Sequence, residues 1–310
     1  MLYPLPLSSI NFPCIHFSFA LYYIDHRTGG FVLHLLIHSL EHSFIDTLKM
    51  LPILYISYLL MEFIEHRAGS RMDAALSKVS KTGPFWGALL GLLPQCGFSG
   101  AAAGLYAGGI ATLGTLLAVF LSTSDEMLPL MISSGAPVGL IGRILAAKFL
   151  CGLAAGFAID ALIRRRSPKI HELCAQEHCS CERHNLWVAS AIHCLQVGVI
   201  IFVVMFALEL LMELGGSTVL THLLPSIPLL GEMAAALIGL IPSCSSSVLL
   251  TQLYLNDLIA LGPLMAGLFA NAGVGLLVLF RLNKNKKENL SILLLLYLIS
   301  VACGLLIGFF

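Results

Sequence analysis

Two stretches decide how this chain folds: Ala88-Leu89-Leu90-Gly91-Leu92-Leu93-Pro94-Gln95-Cys96-Gly97-Phe98-Ser99 and Ala236-Leu237-Ile238-Gly239-Leu240-Ile241-Pro242-Ser243-Cys244-Ser245-Ser246-Ser247. Each lies inside an apolar run, 85–106 and 233–255, that a proline interrupts near its middle. The arms on either side have about ten residues, or about 15 Å of helix, which is half of a hydrocarbon core roughly 30 Å thick. The two stretches align without a gap at an offset of 148, with Gly91 on Gly239, Pro94 on Pro242, Cys96 on Cys244 and Ser99 on Ser247. The register continues to Leu105-Tyr106 on Leu253-Tyr254 and Leu113-Gly114 on Leu261-Gly262; with one residue of slip, Leu48 falls on Leu195 and Glu62 on Glu209. Composition alone explains coinciding leucines, but not Pro-x-Cys, Ser and Leu-Tyr in a single register.

Around these stretches the chain is unusually apolar. Of 310 residues 58% are hydrophobic and only 11% charged, against roughly 25% charged in a soluble domain, and the mean hydropathy is +0.91. One soluble core could not hide that much apolar surface, so a soluble enzyme, a nucleic-acid binder and a disordered chain are excluded. Continuous rather than alternating runs exclude a β-barrel. The nine cysteines imply no disulfide framework, because no secreted domain is present for them to staple. Further spans read at 45–63, 110–132 (broken near Asp125 and Pro129), 138–163, 186–211, 258–280 and 290–310.

Basic residues set the orientation. They cluster as Arg67, Arg71, Lys78 and Lys81; as Arg164, Arg165, Arg166, Lys169 and Arg183; and as Arg281, Lys284, Lys286 and Lys287, while 215–231 has none. The positive-inside rule places the three basic loops in the cytoplasm and the bare loop outside. Three apolar segments separate the first two basic loops, and an odd number of full crossings cannot return the chain to the side it left. One segment must therefore re-enter, and 85–106, split at Pro94, is that segment; by the same logic 233–255 enters and leaves from outside. The expected fold is an all-α integral membrane protein of two inverted-topology repeats, each with a broken re-entrant helical hairpin. Its divisions are an N-terminal extension (1–41), repeat one (42–163), a cytoplasmic Cys/His-rich loop (164–185) and repeat two (186–310).

Chemistry concentrates at the breaks, because backbone groups freed in hydrocarbon cost several kcal/mol unless protein, water or substrate satisfies them. Cys96 and Cys244 mark the two tips, flanked by Gln95, Ser99, Ser243, Ser245 and Ser247. Two thiols facing one cavity suit a soft metal or metalloid; the alternative is two small residues packed at helix breaks. Asp125 and Glu126 interrupt one apolar run, and Asn271 interrupts the matching one. Carboxylates at membrane depth line pathways, although Ser-Thr-Ser-Asp-Glu would also suit a capped surface loop. Glu62 and His66 share a helix face at the end of the first span, Glu209 ends its counterpart, and His193 aligns with Asp46; these are candidates for coupling or pathway roles, or simply solvated ends. His171, Cys174, His178, Cys179, Cys181 and His184 offer more N/S ligands than a tetrahedral site needs, in a spacing unlike a zinc finger, and read as a flexible metal-capture loop. His34, His38 and His42 recur every four residues, on one helical face.

Met61-Glu62-Phe63-Ile64-Glu65-His66-Arg67-Ala68-Gly69, Leu92-Leu93-Pro94-Gln95-Cys96-Gly97-Phe98-Ser99, Thr123-Ser124-Asp125-Glu126-Met127-Leu128-Pro129, the Cys/His loop and Gly239-Leu240-Ile241-Pro242-Ser243-Cys244-Ser245 together resemble the bacterial family of ten-helix heavy-metal exporters, whose members carry labels for arsenic efflux or manganese transport. The resemblance runs from about Asp46 to the C-terminus. It implies an inner-membrane permease whose ligand is the transported ion and whose surroundings are the lipid bilayer. The expectation is a secondary transporter, not an enzyme, that exports a heavy-metal cation or metalloid in exchange for protons. The sequence shows no Walker A motif and no Asp-Lys-Thr-Gly motif. A manganese exporter using Asp125, Glu126 and Glu62 is the alternative within transport, and an intramembrane enzyme is the alternative outside it. The charge arithmetic gives a first prediction: alkaline phosphatase, which folds only after export, will be active when fused after Phe310, and activity of a cytoplasm-only reporter at the same site would overturn the re-entrant topology.

Overall fold

The computed structural model describes residues 30–66, 82–95, 97–124, 126–163, 186–211 and 229–309. Every regular element among them is a helix: α1 Gly30–His66, α2 82–91, α3 Gly97–Ala107, α4 Leu113–Ser122, α5 Met127–Ser133, α6 Val138–Leu162, α7 Leu186–Leu211, α8 Leu230–Gly239, α9 Cys244–Leu255, α10 Leu261–Ala270, α11 Gly275–Leu282 and α12 Lys286–Gly308. By length and composition five helical stretches among these residues could cross a membrane, and two of them, Leu113–Ser133 and Leu261–Leu282, are the pairs α4–α5 and α10–α11, each broken in the middle. The outer helices leave large apolar side chains uncovered, among them Leu150, Leu162, Leu195, Leu294 and Leu306. Such a surface fits lipid rather than water as its solvent.

Both proline-marked stretches are helical hairpins. The first arm ends at 91 and 239, and the second begins at Gly97 and Cys244. Helix starts recur at one offset: Leu113 and Leu261, Met127 and Gly275, Val138 and Lys286 are each 148 residues apart. The packing recurs with them. α4 crosses α6 where Gly114 meets the backbone of Gly156, and α10 crosses α12 where Gly262 meets that of Gly304. A Cβ on Gly156 would lie 2.7 Å from the Gly114 carbonyl oxygen, and one on Gly304 would lie 2.5 Å from the Ala266 side chain. Small residues let these backbones approach closely, which gains dispersion where apolar lipid supplies no hydrophobic drive between helices.

α1 and α7 lie side by side and antiparallel. Tyr55 donates to the Trp187 carbonyl at 3.4 Å, the Cys194 thiol to the Leu51 carbonyl at 3.4 Å, and Phe44 meets Phe202 edge-on. The two hairpins approach opposite ends of α12. Tyr106, at the end of the first hairpin, donates 2.6 Å to Glu288 in α12's first turn; Glu232, at the start of the second, lies beside Gly262 and Gly308 at the other end.

Two expectations shift. Pro129 does not break its span, because it is the third residue of α5, within a first turn whose amides need no intrahelical acceptor; the break lies just before, at 123–126. The boundary at 41 falls inside α1, which is continuous from Gly30, so His38 and His42 belong to the same helix as the first span, with rings stacked at a centroid distance of 6.2 Å. The basic loops 67–81 and 164–185 and most of the loop after α7 lie outside the described residues.

The glycine crossings give a second prediction. Gly304→Leu drives a side chain into the α10 backbone and will lower the melting temperature of detergent-purified protein, at a cost of about 1–3 kcal/mol or more. Gly139→Leu, at a position with nothing within 4 Å, will leave it within error of wild type. Equal melting of the two variants would show that the crossing is not close-packed.

Candidate functional site at the hairpin tips and helix breaks

The hairpin tips are built by local chemistry. After Gly91 the first arm gives way to turn backbone through Pro94, whose missing N–H cannot continue a helix. Gln95 is half-buried, and its Nε2 donates 3.0 Å to the Lys49 carbonyl of α1. That carbonyl lies in the stretch of α1 just before Pro52, a residue that removes one rung from the helix ladder. Ser243 caps α9, its hydroxyl accepting from the Ser245 amide at 3.2 Å. Cys244 follows as the first residue of α9, 3% exposed.

Hydroxyls line the second tip and satisfy its own backbone. Ser246 Oγ donates to the Ser243 carbonyl and Ser247 Oγ to the Cys244 carbonyl, both at 2.8 Å, and both serines are buried. Ser245 turns away from the hairpin, and its hydroxyl donates to Glu209 near the end of α7. On its other side Glu209 faces His42 Nδ1 at 3.9 Å, while His42 lies 3.2 Å from Asp46. Asp46 is 5% exposed and also pairs with Lys49 at 3.3 Å. Glu126 is close enough to act electrostatically on the same imidazole. The result is a chain of Ser245, Glu209, His42 and Asp46 that joins α9, α7 and α1. The pair His42–Asp46 is ionic only while the imidazole holds its second proton.

The breaks in the two discontinuous helices are buried. Ser122, Thr123 and Ser124 are 0%, 5% and 1% exposed, which does not fit a capped loop at the surface. Ser122 Oγ donates to the Ala118 carbonyl at 2.6 Å and Thr123 Oγ1 to the Val119 carbonyl at 2.7 Å. In the other break Asn271, 2% exposed, accepts from the Gly273 amide at 3.0 Å, and Gly273 takes a φ of +52° that a side chain would resist. The first hairpin and both breaks converge on Gly275. A Cβ there would lie 2.6 Å from the Phe120 ring and 2.8 Å from the Ser99 carbonyl oxygen. α9 packs on α5 as α3 packs on α11, so each hairpin rests on a half-helix from the other half of the chain.

The structure thus brings Gln95, Ser99, Ser243, Cys244, Ser245, Ser247, Asn271 and Glu209 to the tips and breaks. Cys96 and Asp125 lie outside the described residues, as do His171, Cys174, His178, Cys179, Cys181 and His184 of the loop. Glu62 and His66 fall in α1 and His193 in α7, but their side chains lie outside the description. Among the described residues no three His, Cys, Asp or Glu side chains form a metal-ligand group. Sequence reasoning gave no role to His42, Asp46 or Lys148. Lys148 is the eleventh residue of the 25-residue α6 and is fully buried. A cation at the centre of an apolar run was the signal available for it.

Compared with family models, with curated proteins and with solved structures, the chain matches none.

The third prediction concerns the polar chain. In a double-mutant cycle read by thermal melting, His42→Ala and Asp46→Asn will be non-additive by about 0.5–3 kcal/mol, the range for residues in direct contact. Additive losses would mean that the pair does not interact in the folded protein.

Proposed function

We propose that the chain is a secondary transporter with two inverted-topology repeats, which exports a thiophilic heavy-metal ion or metalloid in exchange for protons. The observation that carries the reading is the convergence of the first hairpin and both helix breaks on Gly275. Discontinuous helices paired with re-entrant hairpins concentrate free backbone ends at one depth, and in transporters such ends hold the substrate and its coupling ion. An inverted repeat is supported by the common offset of 148, by the antiparallel contact of α1 with α7 and by hairpins that approach opposite ends of α12. An enzyme has no need of such symmetry.

The roles follow from the chemistry. Cys244, with Cys96 as its repeat partner, supplies soft sulfur. Ser99, Ser243, Ser247 and Asn271 offer hydroxyl and amide groups to a hydroxylated substrate. Ser245, Glu209, His42 and Asp46 form a chain of proton carriers between the second tip and α1, the kind of relay that ionisable groups at membrane depth build. The resemblance to exporters supports a bacterial inner-membrane location.

The fourth prediction tests this reading. In inside-out vesicles, uptake of arsenite or cadmium will follow an imposed proton gradient, and Cys244→Ser and Cys96→Ser will each lower it about tenfold or more by replacing a soft donor with a hard one. Glu209→Gln will uncouple uptake from the gradient. Wild-type rates in both serine variants, or uptake of manganese alone, would overturn the thiophilic mechanism.

A further inference from the structure

Lys148 of α6 has no exposed surface, yet its Nζ donates 2.9 Å to the Leu268 carbonyl in the last turn of α10. That carbonyl is released by the helix break. In an unbroken helix it would receive the amide of Ala272, but Ala272 donates to Ala270, and Asn271 donates to Gly267. The last turn of a helix also carries the negative end of its dipole, which favours a cation. The Phe269 ring lies 6.0 Å from the ammonium, within reach of a weak cation–π contact.

The comparable break closes differently. At the end of α4 the Phe120 carbonyl, 148 positions before Leu268, receives the Thr123 amide, and side-chain hydroxyls take the neighbouring carbonyls of Ala118 and Val119. The residue 148 positions after Lys148 is Leu296, also fully buried. Burying an ammonium is costly unless its charge is used, and here it is used at the Leu268 carbonyl.

We propose that Lys148 is a tethered cation. Its ammonium occupies the place, at the C-terminal end of half-helix α10, where a coupling metal ion such as sodium would otherwise bind to freed backbone carbonyls, so this break is stabilised without sodium. The proposal rests on the transporter reading for its role in coupling, and on the geometry at Leu268 for the site itself. Lys148 is a positioning residue: it holds the broken helix end and does not touch the substrate.

The test uses full-length protein in detergent, with melting followed at constant ionic strength. Wild type will melt at the same temperature in sodium and in choline chloride. Lys148→Ala, which vacates the stem and head of the side chain, will melt several degrees lower in choline. Propylammonium will restore part of that loss, and 1-propanol, similar in shape and uncharged, will not. Lys148→Met fills the same space without a charge and will gain nothing from propylammonium. Lys148→Arg, which keeps the charge, will stay indifferent to sodium. In vesicles, Lys148→Ala will lose about tenfold in flux, consistent with loss of a charged hydrogen bond, and propylammonium will recover it. Stabilisation of the wild type by sodium, equal rescue by propanol, or wild-type melting of Lys148→Met would each overturn the proposal. Melting rescue by propylammonium with no flux of any ion in the wild type would uphold the cation site and fault the transport reading instead.

Discussion

Everything in this fold depends on how it satisfies backbone groups that its helix breaks release. A peptide N–H or C=O left unpaired in hydrocarbon costs several kcal/mol, so an apolar chain can interrupt a helix only where a replacement partner is at hand. The four interruptions use four solutions. At 92–95 tight backbone turns close the tip, Leu92 donating to the Leu89 carbonyl, Leu93 to Leu90 and Gln95 to Leu93. At 240–243 a serine cap and two serine hydroxyls close the turn. At 123–126 hydroxyls from Ser122 and Thr123 fold back on their own helix. At 271–274 Asn271, a left-handed glycine and the Lys148 ammonium share the work. Half of the buried polar residues among those described, Ser99, Ser122, Thr123, Ser124, Lys148, Ser243, Ser246, Ser247 and Asn271, stand at or beside these points.

Close helix contacts then fix where the breaks lie. The crossings at Gly114–Gly156 and Gly262–Gly304 pin each discontinuous helix against the long helix that follows it. Gly91 lets α2 approach α4 as Gly239 lets α8 approach α10. Because these contacts hold the first half of each discontinuous helix, the second halves, α5 and α11, are left to meet the hairpins of the opposite half.

Much of this architecture was legible in the sequence. The span 186–211 is α7 as read, 138–163 is α6 but for one residue, and both hairpins turn at their prolines. These features depend on local rules, namely apolar length and proline's missing donor. The misreadings came from features with no local signature. α1 starts fifteen residues before the apolar run that marked it, and His42 in that extension pairs with Asp46 of the apolar run itself. Pro129 looked like a breaker because its place within the first turn of α5 depends on a break fixed by tertiary packing. His42 and Asp46 lie one turn apart on α1, but Glu209, 167 positions beyond His42, joins them only through the antiparallel contact of α1 with α7. Lys148 was hidden because the carbonyl it serves belongs to a helix 120 residues away in the chain.

The hydrogen bond from Tyr106 to Glu288 has a mechanical meaning beyond orientation. It ties the second arm of the first hairpin to the long helix that ends the chain, while the same arm rests on α11. A displacement of that hairpin therefore carries torque into helices encoded almost two hundred residues later. The packed unit around that hairpin is assembled from both halves of the chain, so a load applied to it is shared by helices far apart in sequence.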